Sequence, residues 1–112
     1  MIIKTLNRKE NRAVRGFKEI LLRTFPGHIK AIKLYGSKAR GDYREGSDID
    51  MFVLVDKSDI NLEDKVCDLA TEILLQYGVL ISPMVVNKKH FERLIYLQTA
   101  FIRNVEGQGV EV

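Results

Sequence analysis

The run Asp48-Ile49-Asp50-Met51-Phe52-Val53-Leu54-Val55 constrains the fold more than any other segment. It opens with carboxylates at alternate positions and then becomes continuously apolar, the pattern of a strand lying centrally in a sheet. Side chains alternate between the faces of a strand. Asp48 and Asp50 therefore share one face, with Cα atoms roughly 6 to 7 Å apart, while Ile49 points into the opposite layer. Two further strands are available. Ala31-Ile32-Lys33-Leu34-Tyr35 stops at Gly36, and Val79 to Val86 contains Pro83, which cannot donate to a ladder and so marks an edge position or a bulge.

Helical spacing fills the intervals. Between Asn7 and Phe25 the apolar positions Ala13, Val14, Phe17, Ile20 and Leu21 form one stripe; Asn7 with Glu10 resembles a capping box, and Pro26-Gly27 ends the segment. Asn61 to Tyr77 is a second helix, with Asn61 as N-cap and Gly78 beyond its end. Asn87 caps a last helix running to about Asn104, after which residues 106–112 form a short strand or fray. The order helix, strand, turn or short helix, strand, helix, strand, helix defines an α+β class, a small mixed sheet packed against helices.

At 112 residues, 46% hydrophobic and 29% charged, the chain reads as one globular domain spanning residues 1–112. A core of this size leaves little room for a deep cleft, so an active site would be open or completed by a partner. No apolar run is long enough for a signal peptide or for the ~20 residues of a membrane span, which points to a soluble, cytoplasmic protein without membrane association. Cys67 has no second cysteine to pair with and lies in the apolar pattern of the second helix, where it reads as a small core hydrophobe. Residues 1–44 carry twelve Lys/Arg against three Asp/Glu, or +9; residues 45–112 carry six against twelve, or −6. The division suits a polyphosphate, nucleic acid or acidic partner on one side and cations on the other. Arg8, Arg12 and Arg15 share one helical face, either a solvated surface or one turned to a phosphate or partner.

The chemistry concentrates between residues 35 and 56. Gly36 lets backbone approach a bulky anion. Ser37 supplies a hydroxyl and an amide at the start of a short helix, and Lys38 and Arg40 add positive charge, Arg40 with a fork that can take two phosphate oxygens. Such a turn is also a common structural element. Asp48 and Asp50 repel each other unless a cation is shared between them, and magnesium, with its preference for oxygen ligands, is the natural candidate. Taken alone, the pair also reads as turn and cap residues at an exposed strand start. His28 and His90 lack ligand-like spacing and read as surface or structural residues.

Gly36-Ser37, Arg40-Gly41 and Ser47-Asp48-Ile49-Asp50 followed by an apolar strand together resemble the signature of the DNA polymerase beta-like nucleotidyltransferase superfamily. The closest likeness is to its minimal, antitoxin-type members. The resemblance implies a polymerase beta-type nucleotidyltransferase fold. It implies that Gly36 and Ser37, with Arg40 and Ser47, bind a nucleoside triphosphate, ATP above all, and that Asp48 and Asp50 are catalytic and hold Mg2+ (or Mn2+). It further implies in-line transfer of a nucleoside monophosphate to an acceptor hydroxyl with release of pyrophosphate. Minimal nucleotidyltransferases are often paired with an all-helical partner protein in toxin–antitoxin systems.

One departure stands out. Active members supply a third carboxylate from a later strand, whereas Val79 to Val86 contains no acid and Ser82 occupies the corresponding place. A neutral hydroxyl is a poor magnesium ligand and a poor base. Three readings follow: an active transferase working with two carboxylates or borrowing a group such as Glu92; a nucleotide-binding regulator with weak or no turnover, acting through a helical partner; and a nucleic-acid-binding module built on Arg8, Arg12, Arg15, Lys30, Lys33 and Lys38.

Overall fold

The computed structural model describes residues 2–41 and 48–112. Helix α1 (Arg8–Thr24) is followed by β1 (Ile29–Tyr35), the single-turn α2 (Ser37–Arg40), β2 (Ile49–Val55), α3 (Ile60–Tyr77), β3 (Ile81–Asn87), α4 (Lys88–Leu97), α5 (Ala100–Gln108) and β4 (Val110–Glu111). The strands form one mixed sheet in the order β3-β2-β1-β4. β1 runs antiparallel to β2 and β4, whereas β2 and β3 are parallel, joined by α3.

The alternation in β2 divides the core. Ile49, Met51, Val53 and Val55 pack with the buried stripe of α1 (Ala13, Val14, Phe17, Leu21) and that of α3 (Val66, Leu69, Ala70, Ile73). Phe52 points to the other face, where it meets Phe91 of α4 and Phe101 of α5 at ring-centroid distances of 5.6 and 6.2 Å. Pro83 lies in β3 at the sheet edge, where a missing donor is tolerated. No helix among the described residues is long and apolar enough to cross a membrane.

The capping box of α1 forms as the sequence predicts. The Glu10 amide donates to Asn7 Oδ1 (2.8 Å), and Glu10 Oε1 accepts from the Asn7 amide (3.0 Å). Three other expectations are corrected. Helix α3 is capped by Asp59, not Asn61: Asp59 has extended backbone angles and its Oδ1 accepts the Leu62 amide at 2.9 Å. The single helix expected after Asn87 is two, because Gln98 adopts the left-handed region (φ 48°) and Thr99 caps a new helix by accepting the Ile102 amide. Cys67 is exposed. At about 100° per residue it falls well to one side of the arc holding Val66, Leu69, Ala70 and Ile73.

The most deeply buried charges also defy the sequence reading. Lys38, 1% exposed, donates to Oε2 of Glu10, 7% exposed. The lysine expected to reach a phosphate is instead turned into the interior, tying α2 to the first turn of α1. Removing one partner of a buried pair leaves the other charge stranded. Lys38→Met should therefore cost about 3 to 5 kcal/mol in urea unfolding, with much of that loss recovered on adding Glu10→Gln, which keeps the cap but removes the charge. A cost below about 1 kcal/mol would place the pair among weak surface bridges.

Candidate functional site

Antiparallel pairing folds a distant piece of sequence onto the carboxylates. Tyr35, the last residue of β1, lies opposite Asp50 near the start of β2, so the turn that follows Tyr35 sits directly over that aspartate. Gly36 makes the turn at φ 74°, where a side chain would be strained, and a Cβ there would lie 2.5 Å from Asp50 Oδ2. Both the backbone conformation and the space demand glycine.

Helix α2 then starts at Ser37, which is half-buried, and closes when the Gly41 amide donates to the Ser37 carbonyl at 2.9 Å. The Ala39 and Arg40 amides both donate to the Gly36 carbonyl, at 3.1 and 3.2 Å, which sets Ser37 at the head of the turn. Lys38 turns inward, but Arg40 is exposed, with Nη1 donating to Gln108 Oε1 at 3.1 Å, and its charge acts on Asp50. Ser47 lies outside the described residues.

The predicted alternation holds at the carboxylates. Ile49 is fully buried in the core beneath α1 and α3, Asp48 is exposed, and Asp50 is half-buried on the opposite side from Ile49. Burial raises the Asp50 pKa above the ordinary carboxylate value, the neighbouring Asp48 charge raises it further, and the Arg40 guanidinium opposes both. The Tyr35 phenol is raised by burial and then by Asp50. The Tyr35 ring is held edge-on against Phe101, with centroids 5.6 Å apart, so α5 braces the wall beside Asp50.

Ser82 pairs in register with Asp50 across the parallel β2–β3 ladder. Directly paired residues project from the same face, so the serine stands where a third acid from β3 would stand. Glu92 does not replace it. It lies exposed on α4, lining a surface cavity of about 540 Å3 with Asn87, Lys89, His90 and Arg93. Among the described residues no three His, Cys, Asp or Glu come together as a metal-binding group. His28 is an exposed partner of Asp56, its Nδ1 lying 3.0 Å from Oδ2. Sequence reasoning missed Tyr35 and Gln108. Tyr35 was recoverable from the strand pairing, whereas Gln108 meets Arg40 from 68 positions away and left no local signal.

A carboxylate pair at a strand start, facing a glycine-serine turn and an arginine, is suited to a polyphosphate and its counter-cation. That is the arrangement of a group-transfer protein acting on nucleotides. The chain belongs to the nucleotidyltransferase-domain family, whose profile matches residues 14–109. Two proteins of Methanocaldococcus jannaschii, each named "putative protein adenylyltransferase", are similar to it. One is 41% identical over 100 residues, covering 89% of this chain and 94% of that protein. The other is 34% identical over 100 residues, covering 88% and 94%. The fold is also that of a chain in the toxin–antitoxin complex MntA-HpeT, with a TM-score of 0.54 and 24% identity over 96% of this chain and 72% of the other. A toxin–antitoxin structure with AMP-PNP gives 0.54 and 22% over 94% and 72%.

Two outcomes test this geometry. Gly36→Ala should cost roughly 1 to 3 kcal/mol of stability from the forced left-handed backbone, and should weaken ATP binding by roughly tenfold or more in calorimetry as Asp50 is displaced. The second concerns Asp50 itself. Its folded pKa is raised, so its ionisation opposes folding, and stability is lost as pH rises from the unfolded carboxylate value through the folded one. Asp50→Asn should raise the melting temperature of the ligand-free protein modestly at neutral pH, because the group is largely solvated. The difference should close as pH falls below the carboxylate range; a variant less stable than the parent at neutral pH would contradict the assignment.

Proposed function

We propose that the chain is a protein adenylyltransferase that binds ATP with Mg2+ (or Mn2+) and transfers AMP to a hydroxyl of a partner protein. The observation that carries this reading is the turn at Gly36 lying against Asp50, with Arg40 and Asp48 both acting on that carboxylate. It is supported by the names of the two archaeal relatives. The toxin–antitoxin role implied by sequence resemblance finds support in the fold shared with a toxin–antitoxin chain; the all-helical character of a partner rests on the resemblance alone.

The residues fit a magnesium ion by their chemistry: two adjacent carboxylates, one with its charged form disfavoured by burial and by the other's charge, gain most from a shared hard cation. Asp48 and Asp50 would hold it, and when bound it supplies neutralisation of the triphosphate charge. The Gly36-Ser37 turn and Arg40 restrain the phosphates, fixing the α-phosphorus for in-line attack. The acceptor oxygen bonds to that phosphorus, the bridging bond to the β-phosphate breaks, pyrophosphate departs, and the hydroxyl proton is lost.

The pairing of Ser82 with Asp50 favours a second reading of the same site, in which nucleotide is bound but turned over weakly and the protein regulates a helical partner. ATP labelled at the α-phosphate, offered with magnesium and candidate partner proteins, separates the two. Transfer lost in Asp48→Asn and Asp50→Asn establishes the enzyme. Magnesium-dependent ATP binding without transfer establishes the regulator, and Ser82→Asp should then raise turnover. ATP binding indifferent to both aspartate changes removes the site altogether.

A further inference from the structure

The basic face of α1 takes no part in the site described above. Arg8, Arg12 and Arg15 are all exposed, and none forms an ion pair among the described residues. With Asn11, Leu6 and Ile2 they line a groove of about 410 Å3, in which Ile2 is 79% exposed. Local electrostatics works against this arrangement. Like charges three and four positions apart repel along a helix, and cations in the first turn oppose its dipole. Helix α1 carries two carboxylates; Glu10 is committed to the Asn7 amide and Lys38, and Glu19, four positions beyond Arg15, neighbours that arginine but not Arg8 or Arg12. An external anion would relieve this uncompensated charge.

The lining indicates which kind. Among the described residues no aromatic side chain borders the groove, which offers none of the stacking surface that single-stranded nucleic acid uses. Its apolar side chains, Ile2 and Leu6, instead suit an aliphatic side chain flanked by acids. Ile2 also lines a second depression with Thr5 and with Ala39 of α2, the short helix that carries Ser37 and Arg40.

We propose that this groove docks an acidic, amphipathic helical segment of a partner protein, its aliphatic side chain against Ile2 and Leu6 and its carboxylates on Arg8, Arg12 and Arg15. The proposal deepens the functional reading and rests on it in one respect, that the acceptor is a protein.

The test uses the full chain and three fluorescent probes: a helical peptide with Leu and Glu on one face, the same peptide with Gln for Glu, and a single-stranded oligonucleotide. The acidic peptide should bind with an affinity that falls as salt rises, and the Gln peptide should bind far less well. Arg8→Glu with Arg12→Glu should weaken acidic-peptide binding by roughly tenfold or more, and Ile2→Asp should weaken it too, with ATP affinity unchanged in calorimetry. If the double reversal fails to fold, Arg12→Gln carries the same comparison. Equal binding of the two peptides, or of the acidic peptide by parent and variant, overturns the proposal. Tighter binding of the oligonucleotide reassigns the groove to nucleic acid. Peptide binding in a protein that fails to bind ATP would remove the transferase reading while leaving the groove standing.

Discussion

The ion pair between Glu10 and Lys38 governs how the phosphate-facing turn is presented. Glu10 uses its two oxygens for separate tasks: Oε1 closes the capping box of α1, and Oε2 accepts from Lys38. Asn11 adds a third tie, its amide donating to the carbonyls of Ile3 and Leu6, so the start of the chain, α1 and α2 become one unit. A buried pair of this kind contributes little net stability, since desolvation offsets most of the attraction. Its effect is directional. In a single helical turn, fixing Lys38 inward leaves Ser37 and Arg40, three positions apart, on a common face, and the Arg40 charge acts on Asp50.

Sheet topology does the rest. The antiparallel β1–β2 pairing delivers Gly36 to Asp50, and the parallel β2–β3 pairing delivers Ser82 to the same residue from the other side. Helices α4 and α5 cover this face at Phe52, α5 reaches Tyr35 beside Asp50, and Asp48 at the strand start is exposed. Asp50 is held where its charge is disfavoured, and Gly36 in a conformation few residues tolerate. Only the first is a local cost, since glycine adopts positive φ without strain; at Gly36 the demand is for the absence of a Cβ beside Asp50.

Much of this was legible because it rests on short-range rules. The alternation around Ile49, the capping box at Asn7 and the edge position of Pro83 follow from periodicity and from backbone donors. What escaped reading depended on longer range or on competing local choices. Asp59 and Asn61 are both capable caps, and the extended backbone at Asp59 decides between them. The break at Gln98 carries no glycine, although Thr99 after it was a readable cap. Lys38 looked like one more surface cation because its partner lies 28 residues earlier. At Cys67 the composition of the helix was a poorer guide than its angular spacing.

The charge asymmetry of the sequence acquires a spatial meaning from the same topology. Cations and acids fall largely in different halves of the chain, yet the sheet interleaves the halves at the turn after β1, placing Arg40 beside Asp50. There one guanidinium stands against two carboxylates, which leaves Asp50 short of compensating charge. The surplus stays on α1, where Glu10 is taken by the capping box and Lys38 and only Glu19, one turn beyond Arg15, is left among its own residues. In the function proposed above the two regions divide the work: the turn is to hold a nucleotide, and the adjoining helix is to attract the partner protein that receives it.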